Sequence, residues 1–332
     1  MNTKSVLHLR PRAVVRLVVS IAFLRCCSPA LAASDLVLQL KQAQELSDRG
    51  NEAEAIEILN PIVHSRPPGL GERQMAIAWN ILGSSYQGLG EYQVARRSYE
   101  SAIRLVQGLP TTEDVFVSSL NDLASLSSLE GQLDAASNLR LKARKIYRNH
   151  GDWAGLARTD DGLATIALSK NNLRAADKFL RDAGNDAEHS ASLDDSDRAE
   201  MYALRASLAV HRHDFAGAVG AYERSLKLWG SAQRQPFDVI AWEHALLGDA
   251  YRELGNLTAA EKELIDALEL LKGHELGSSP VYFRSEILYA RVVRATGDKD
   301  RARHLTEEAE TALKNLARRQ CNGCIIGAEA LH

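Results

Sequence analysis

An all-α solenoid of seven helical hairpins is the fold the sequence predicts, and three observations carry it. Small residues recur in pairs twelve places apart at a steady stride. A turn-forming residue follows the first of each pair by seven places, and large apolar residues keep helical spacing on both sides of it. With 45% hydrophobic, 25% charged and 6% aromatic residues in 332, the composition is that of an ordinary folded chain and excludes collagen-like, disulfide-dense and wholly disordered classes. That length admits two compact cores or one array that grows unit by unit, and the repeat decides for the array.

Residues 1–32 precede the array and read as a secretory leader. Lys4, Arg10, Arg12 and Arg16 lead into the apolar run Leu17–Leu24, Arg25 follows it, and no acidic residue occurs there. The run is far shorter than the ~20 residues of a bilayer span, and Ala30-Leu31-Ala32 places small residues where a signal peptidase reads. Cleavage is expected after Ala32, giving an exported periplasmic or secreted protein; the other reading is an uncleaved N-terminal anchor. Loss of the leader lowers the basic count from 40 to 35 against 43 acidic residues, so the mature chain carries about −8. This charge disfavours nucleic acid and acidic membranes as partners, and no later segment is apolar over membrane length.

The paired small residues are Ala43/Ala55, Gly83/Ala95, Ala124/Ala136, Ala164/Ala176, Ala206/Ala218, Gly248/Ala260 and Ala290/Ala302, at strides of 40, 41, 40, 42, 42 and 42 residues. Units begin near 36, 76, 117, 157, 199, 241 and 283, so the solenoid spans 33–318 and leaves a tail at 319–332. The turn column reads Gly50, Gly90, Gly131, Asn171, His213, Gly255 and Gly297, residue types suited to a left-handed backbone. A third column, Ile62, Ala102, Ala143, Ala183, Ser225, Ala267 and Ala309, is small in six units. Two antiparallel helices joined by a tight turn approach closely only where side chains shrink to a methyl or a hydrogen; bulky residues such as Leu82, Tyr86, Tyr92 and Tyr99, or Leu247, Tyr251, Leu257 and Leu264, fill the flanking layers.

Breaks separate the units at Arg66-Pro67-Pro68-Gly69, Gly108-Leu109-Pro110-Thr111, Asn149-His150-Gly151, Gly230-Ser231 and Gly277-Ser278-Ser279-Pro280. Thr111 with Asp114, Asp197 with Glu200, and Ser279 with Pro280 read as helix starts. Pro61, inside the second helix of the first unit, predicts a kink there.

The stretch Trp79-x-x-Leu82-Gly83-x-x-Tyr86-x-x-x-Gly90-x-Tyr92-x-x-Ala95-x-x-x-Tyr99-x-x-Ala102 resembles a near-complete tetratricopeptide repeat (TPR), and Leu247-Gly248 through Ala267 is similar. The stride exceeds the ~34 residues of the familiar repeat. Arg140 and Thr306 stand where the pattern prefers large apolar residues, and His213 replaces a turn glycine. The resemblance implies a right-handed superhelix whose first helices line a concave groove for a protein or peptide segment. Groove residues would then be Asn80, Ser84 and Gln87; Asn121, Ser125 and Ser128; Asp161 and Thr165; and, further on, Asp249, Arg252, Arg284, Arg291 and Arg294. One expectation is that the Asn80 and Asn121 amides hold a ligand backbone while the arginine strip attracts a carboxylate. The other is a solvated polar face.

No phosphate loop, nucleophile elbow, zincin motif or dinucleotide fingerprint occurs, so a non-catalytic scaffold without cofactor or metal is expected. His211-Arg212-His213-Asp214 sets two imidazoles near a carboxylate, but His213 falls at a turn and Asp214 at a helix start. Asp194, Asp195 and Asp197 lack the glycine and terminal glutamate of a calcium loop. Cys321-Asn322-Gly323-Cys324 supplies the competing function, a thiol-active exported protein whose array positions a redox or disulfide-linked tail; a local disulfide is the plainer reading.

Overall fold

The computed structural model describes residues 29–109, 113–233 and 235–320. These form helices α1 (Pro29–Asp48), α2 (Glu52–Ser65), α3 (Glu72–Gly88), α4 (Tyr92–Val106), α5 (Glu113–Leu129), α6 (Leu133–His150) and α7 (Trp153–Ser169). They continue through α8 (Leu173–Glu188), α9 (Asp195–His211), α10 (Phe215–Trp229), α11 (Phe237–Glu253), α12 (Leu257–Gly273), α13 (Pro280–Ala295) and α14 (Lys299–Gln320), and no strand occurs among the described residues. Successive helices pair as hairpins, and every second helix also packs on the first helix of the next unit, so the core runs through the array as a single layered solenoid.

The hairpin turns follow from the turn column. Gly50, Gly90, Gly131, Asn171, His213, Gly255 and Gly297 all take positive φ, from 54° to 108°. The residue after each donates its N–H to the carbonyl five residues back, as Asn51 does to Leu46 and Asp298 to Val293, at 2.8–3.2 Å. This closure satisfies carbonyls that the helix end leaves orphaned and reverses the chain within three residues. The next helix often opens on a side-chain cap: Asp152, Asn172, Asp214, Asn256 and Ser279 accept from the backbone N–H three residues on. At α9 the cap is Asp194, and Asp197 is its reciprocal partner in a capping box; Asp197 does not itself start the helix, because its carboxylate reaches back to the Asp194 N–H. Thr111 lies outside the described residues. Pro61 sits within α2 without ending it.

The small columns sit at the helix crossings. Ala43, Ala55, Ala95, Ala124, Ala136, Ala164, Ala176, Ala206, Ala218, Ala260 and Ala302 are fully enclosed. A methyl on Gly83 would come within 2.6 Å of the Tyr99 ring, and one on Gly248 within 2.8 Å of Leu264 Cγ. Tyr99 and Leu264 thus fill the layer that those glycines vacate. Tyr92, expected in the same layer, is instead exposed at the start of α4.

First helices touch the first helices of neighbouring units (α1 with α3, α3 with α5, α5 with α7, α7 with α9, α11 with α13), whereas second helices do not approach one another as closely. The crowded side of a curved array is its inner side, so α3, α5, α7, α9 and their equivalents line the concave face.

Candidate functional site: a polar seam along the inner face

The inner face carries a chain of polar side chains from α3 to α9. Asn80 on α3 donates from Nδ2 to Asp122 Oδ2 on α5 at 2.7 Å, and Ser118 Oγ donates to the same oxygen at 3.4 Å. Burial pushes the Asp122 carboxyl above its usual range, against those hydrogen bonds and the charge of Arg140. Between α3 and α5 a recess of about 250 Å³ opens, lined by Gln44, Asn80, Ser118 and the ion pair of Arg73 with Asp114.

Arg140 is the centre of the seam, and it comes from a second helix, α6. Its guanidinium lies over Gly162 of α7, where a methyl would stand 2.2 Å from Cζ, so only glycine leaves it room. From there Nη2 donates to Ser125 Oγ at 2.9 Å, with the charges of Asp122 and Asp161 on either side sustaining a cation that burial opposes. Asp161 is pushed well above the usual carboxylate range by burial, with repulsion from Glu200 adding to the effect and Arg205 opposing it. Its chain neighbour Asp160 faces the other way, fully enclosed, and binds Arg144 through both oxygens while Arg144 also reaches Asp182 at 2.9 Å.

Several buried polar atoms of the seam have no hydrogen-bond partner among the described residues: Asn80 Oδ1, Asn121 Oδ1, Asp161 Oδ1 and Arg140 Nε. Three accept and one donates. Buried polar groups are ordinarily satisfied, and these four atoms hold bonding capacity that the described side chains leave unused.

The other expected groove residues divide. Gln87 accepts from the Tyr99 hydroxyl at 3.1 Å and is committed to its own hairpin. Ser125, Ser128 and Thr165 donate to carbonyls one turn back, at 3.0–3.1 Å, which leaves their oxygens as acceptors; Ser84 is exposed. Toward the C-terminal end, Arg252 is held by Asp249 at 2.7 Å and Glu253 at 2.5 Å, and Arg291 reaches Asp249 at 3.6 Å. Arg284 and Arg294 are exposed with no carboxylate within ion-pair distance among the described residues. The arginine strip is therefore half neutralised.

Sequence reasoning missed Asp122, Arg140 and the Arg144–Asp160 pair. Arg140 left a signal, a cation at a position the repeat reserves for a large apolar residue. Among the described residues no group of three His, Cys, Asp or Glu side chains could hold a metal. His211 bonds the Ser207 carbonyl at 2.8 Å, His213 occupies the left-handed turn, and Asp214 caps α10. Cys321 and Cys324 lie outside the described residues, and no described helix is long and apolar enough to cross a membrane.

A tetratricopeptide repeat family model matches residues 76–105 and 244–270, the second and sixth hairpins. Among solved structures the fold is similar to that of the apo form of RapI, at 11% identity, TM-score 0.65, covering 85% of this chain and 99% of that one. The Rap conjugation gene regulator of plasmid pLS20, solved in complex with the Phr* peptide, is similar at 14% identity and TM-score 0.63, with 94% and 83% covered. A tetratricopeptide repeat protein from Parabacteroides merdae matches at 16% identity and TM-score 0.54, with 86% and 97% covered. No curated protein matches by sequence.

Proposed function

We propose that this helical repeat scaffold is exported and acts without catalysis, holding an extended segment of a protein partner along the inner face of its first helices. The observation that carries the reading is the row of buried, unpartnered polar atoms on α3, α5, α6 and α7. An extended peptide offers backbone N–H groups to the acceptors Asn80 Oδ1, Asn121 Oδ1 and Asp161 Oδ1, and a carbonyl to Arg140 Nε. Peptide capture by a neighbour of the same fold, the pLS20 regulator bound to Phr*, supports it. Export rests on the basic and apolar leader ending at Ala32.

Selection of displayed random peptides on the full chain tests the groove. Binders are expected, and Asn121→Ala should weaken them about tenfold while its cost to the fold stays at the one bond its amide makes with the Tyr147 hydroxyl, since the amide oxygen itself has no partner to lose. Asn80 is the poorer choice because its Nδ2 also supports Asp122. A chain that selects nothing, or an Asn121→Ala variant that binds unchanged, refutes the reading. Export is checked separately by N-terminal sequencing of the protein from the cell envelope: a start at Ala33 is expected, and an intact Met1 terminus in the cytoplasm overturns it.

A further inference from the structure

The outer face carries a cavity that the groove does not explain. It lies between the second helices α2 and α4 over the floor of α3, and at about 550 Å³ it is larger than the recess on the inner face and within the range of small-molecule sites. Trp79 and Tyr86, with Leu82 between them, form an aromatic and apolar floor. The Trp79 indole N–H is buried and has no acceptor among the described residues. His64 stands at one side, its ring 6.2 Å from that of Trp79, with Nδ1 engaged by the Asn60 carbonyl at 2.7 Å. At the mouth are two arginines. Arg104 is occupied by Ser101 at 2.8 Å and Glu100 at 3.8 Å, while Arg97 is exposed and has no carboxylate within ion-pair distance among the described residues.

The same place in another unit shows what such a recess takes. Tyr202, like Trp79 four residues before the small residue of its first helix, floors a cavity of only about 180 Å³ between α8 and α10. There the chain fills the space itself: the guanidinium carbons of Arg205 and Arg224 stand 5.3 and 5.9 Å from the tyrosine ring centroid. Over Trp79 no arginine or lysine intervenes among the described residues, so an open aromatic floor and an uncommitted arginine remain together. A purely apolar molecule would leave Arg97 without a counter-charge and a cation would face it; a flat ring bearing an anion matches the aromatic floor and Arg97, with Glu100 already paired to Arg104.

We propose that the cavity between α2 and α4 binds a small aromatic carboxylate, its ring against Trp79 and Tyr86 and its carboxylate taken by the Arg97 guanidinium. This site is independent of the peptide groove. The test is a calorimetric titration of the full chain with 1-naphthoate and with the uncharged 1-naphthamide. Saturable one-to-one binding of the naphthoate is expected, with the amide and the variants Arg97→Gln and Trp79→Phe each about tenfold weaker. Asn121→Ala, in the groove, should bind naphthoate as the parent chain does. Arg97 is exposed, so its variant keeps the fold and decides the matter with the amide comparison even if Trp79→Phe does not fold. Absence of saturable binding, equal affinity for the amide, Arg97→Gln binding unchanged, or loss of binding in Asn121→Ala would each overturn the proposal.

Discussion

Asp160 and Asp161 are adjacent on one helix, yet burial acts on them through different company. Asp160 holds Arg144 across two helices, and a pair enclosed this well is costly to break from one side. Arg144→Ala should therefore lose about 3 kcal/mol in chemical denaturation, because it strands a buried carboxylate. Asp161 has no such partner for Oδ1, and its carboxyl is raised well above the ordinary 3.8. A raised carboxyl binds its proton more tightly in the folded state, so its favourable contribution is fully present below 3.8 and is lost as pH rises through the folded value. Asp161→Asn removes this dependence. Urea midpoints of parent and variant should diverge in favour of the variant as pH rises from about 4 toward neutrality; parallel profiles would show that Asp161 is not held in this way.

The elements owe their spacing to the small columns and their reversals to the left-handed turns. Ala95 is fully enclosed at the α3–α4 crossing. Ala95→Leu should overpack it and cost ~1–3 kcal/mol in thermal or urea unfolding; a neutral outcome would mean the crossing lies elsewhere. The opposite sign is expected at His213, which takes φ 59° where five other hairpins use glycine. His213→Gly relieves a side chain in the left-handed region and should raise stability by up to about 1 kcal/mol, measured the same way. Asp214, one residue on, supplies the cap in either case.

At the scale of the whole molecule, an array stabilised by contacts between neighbouring units is only as continuous as its weakest junction. That junction is between α8 and α9, the thinnest of the described contacts between a second helix and the next first helix. Limited proteolysis should nick first between Glu188 and Asp195, the ends of those helices, releasing an N-terminal piece of four hairpins and a C-terminal piece of three. First cleavage within another hairpin would contradict this ranking. The polar seam reaches this junction through Asp161, Glu200 and Arg205, so a ligand bound there is expected to protect the segment from the nick.

The fold was legible because its determinants are local and repeated: one residue with a left-handed backbone per turn and one small residue per crossing specify a hairpin, and seven in register specify an array that must stack to bury its faces. Single positions in the groove were legible only as faces of helices. Asn80 and Asn121 could be placed on the inner side, but the partners that commit Gln87 and Arg291 come from other helices, Tyr99 of α4 and Asp249 of α11, while Arg252 is held within its own helix. Arg140 makes the difference plain. The sequence by itself determined that a cation breaks the apolar pattern of α6. Only the tertiary structure decided that Gly162 of the following helix clears a slot for it between two acidic side chains, because burial and charge at a site depend on what neighbouring units bring to it and not on the repeat's own period.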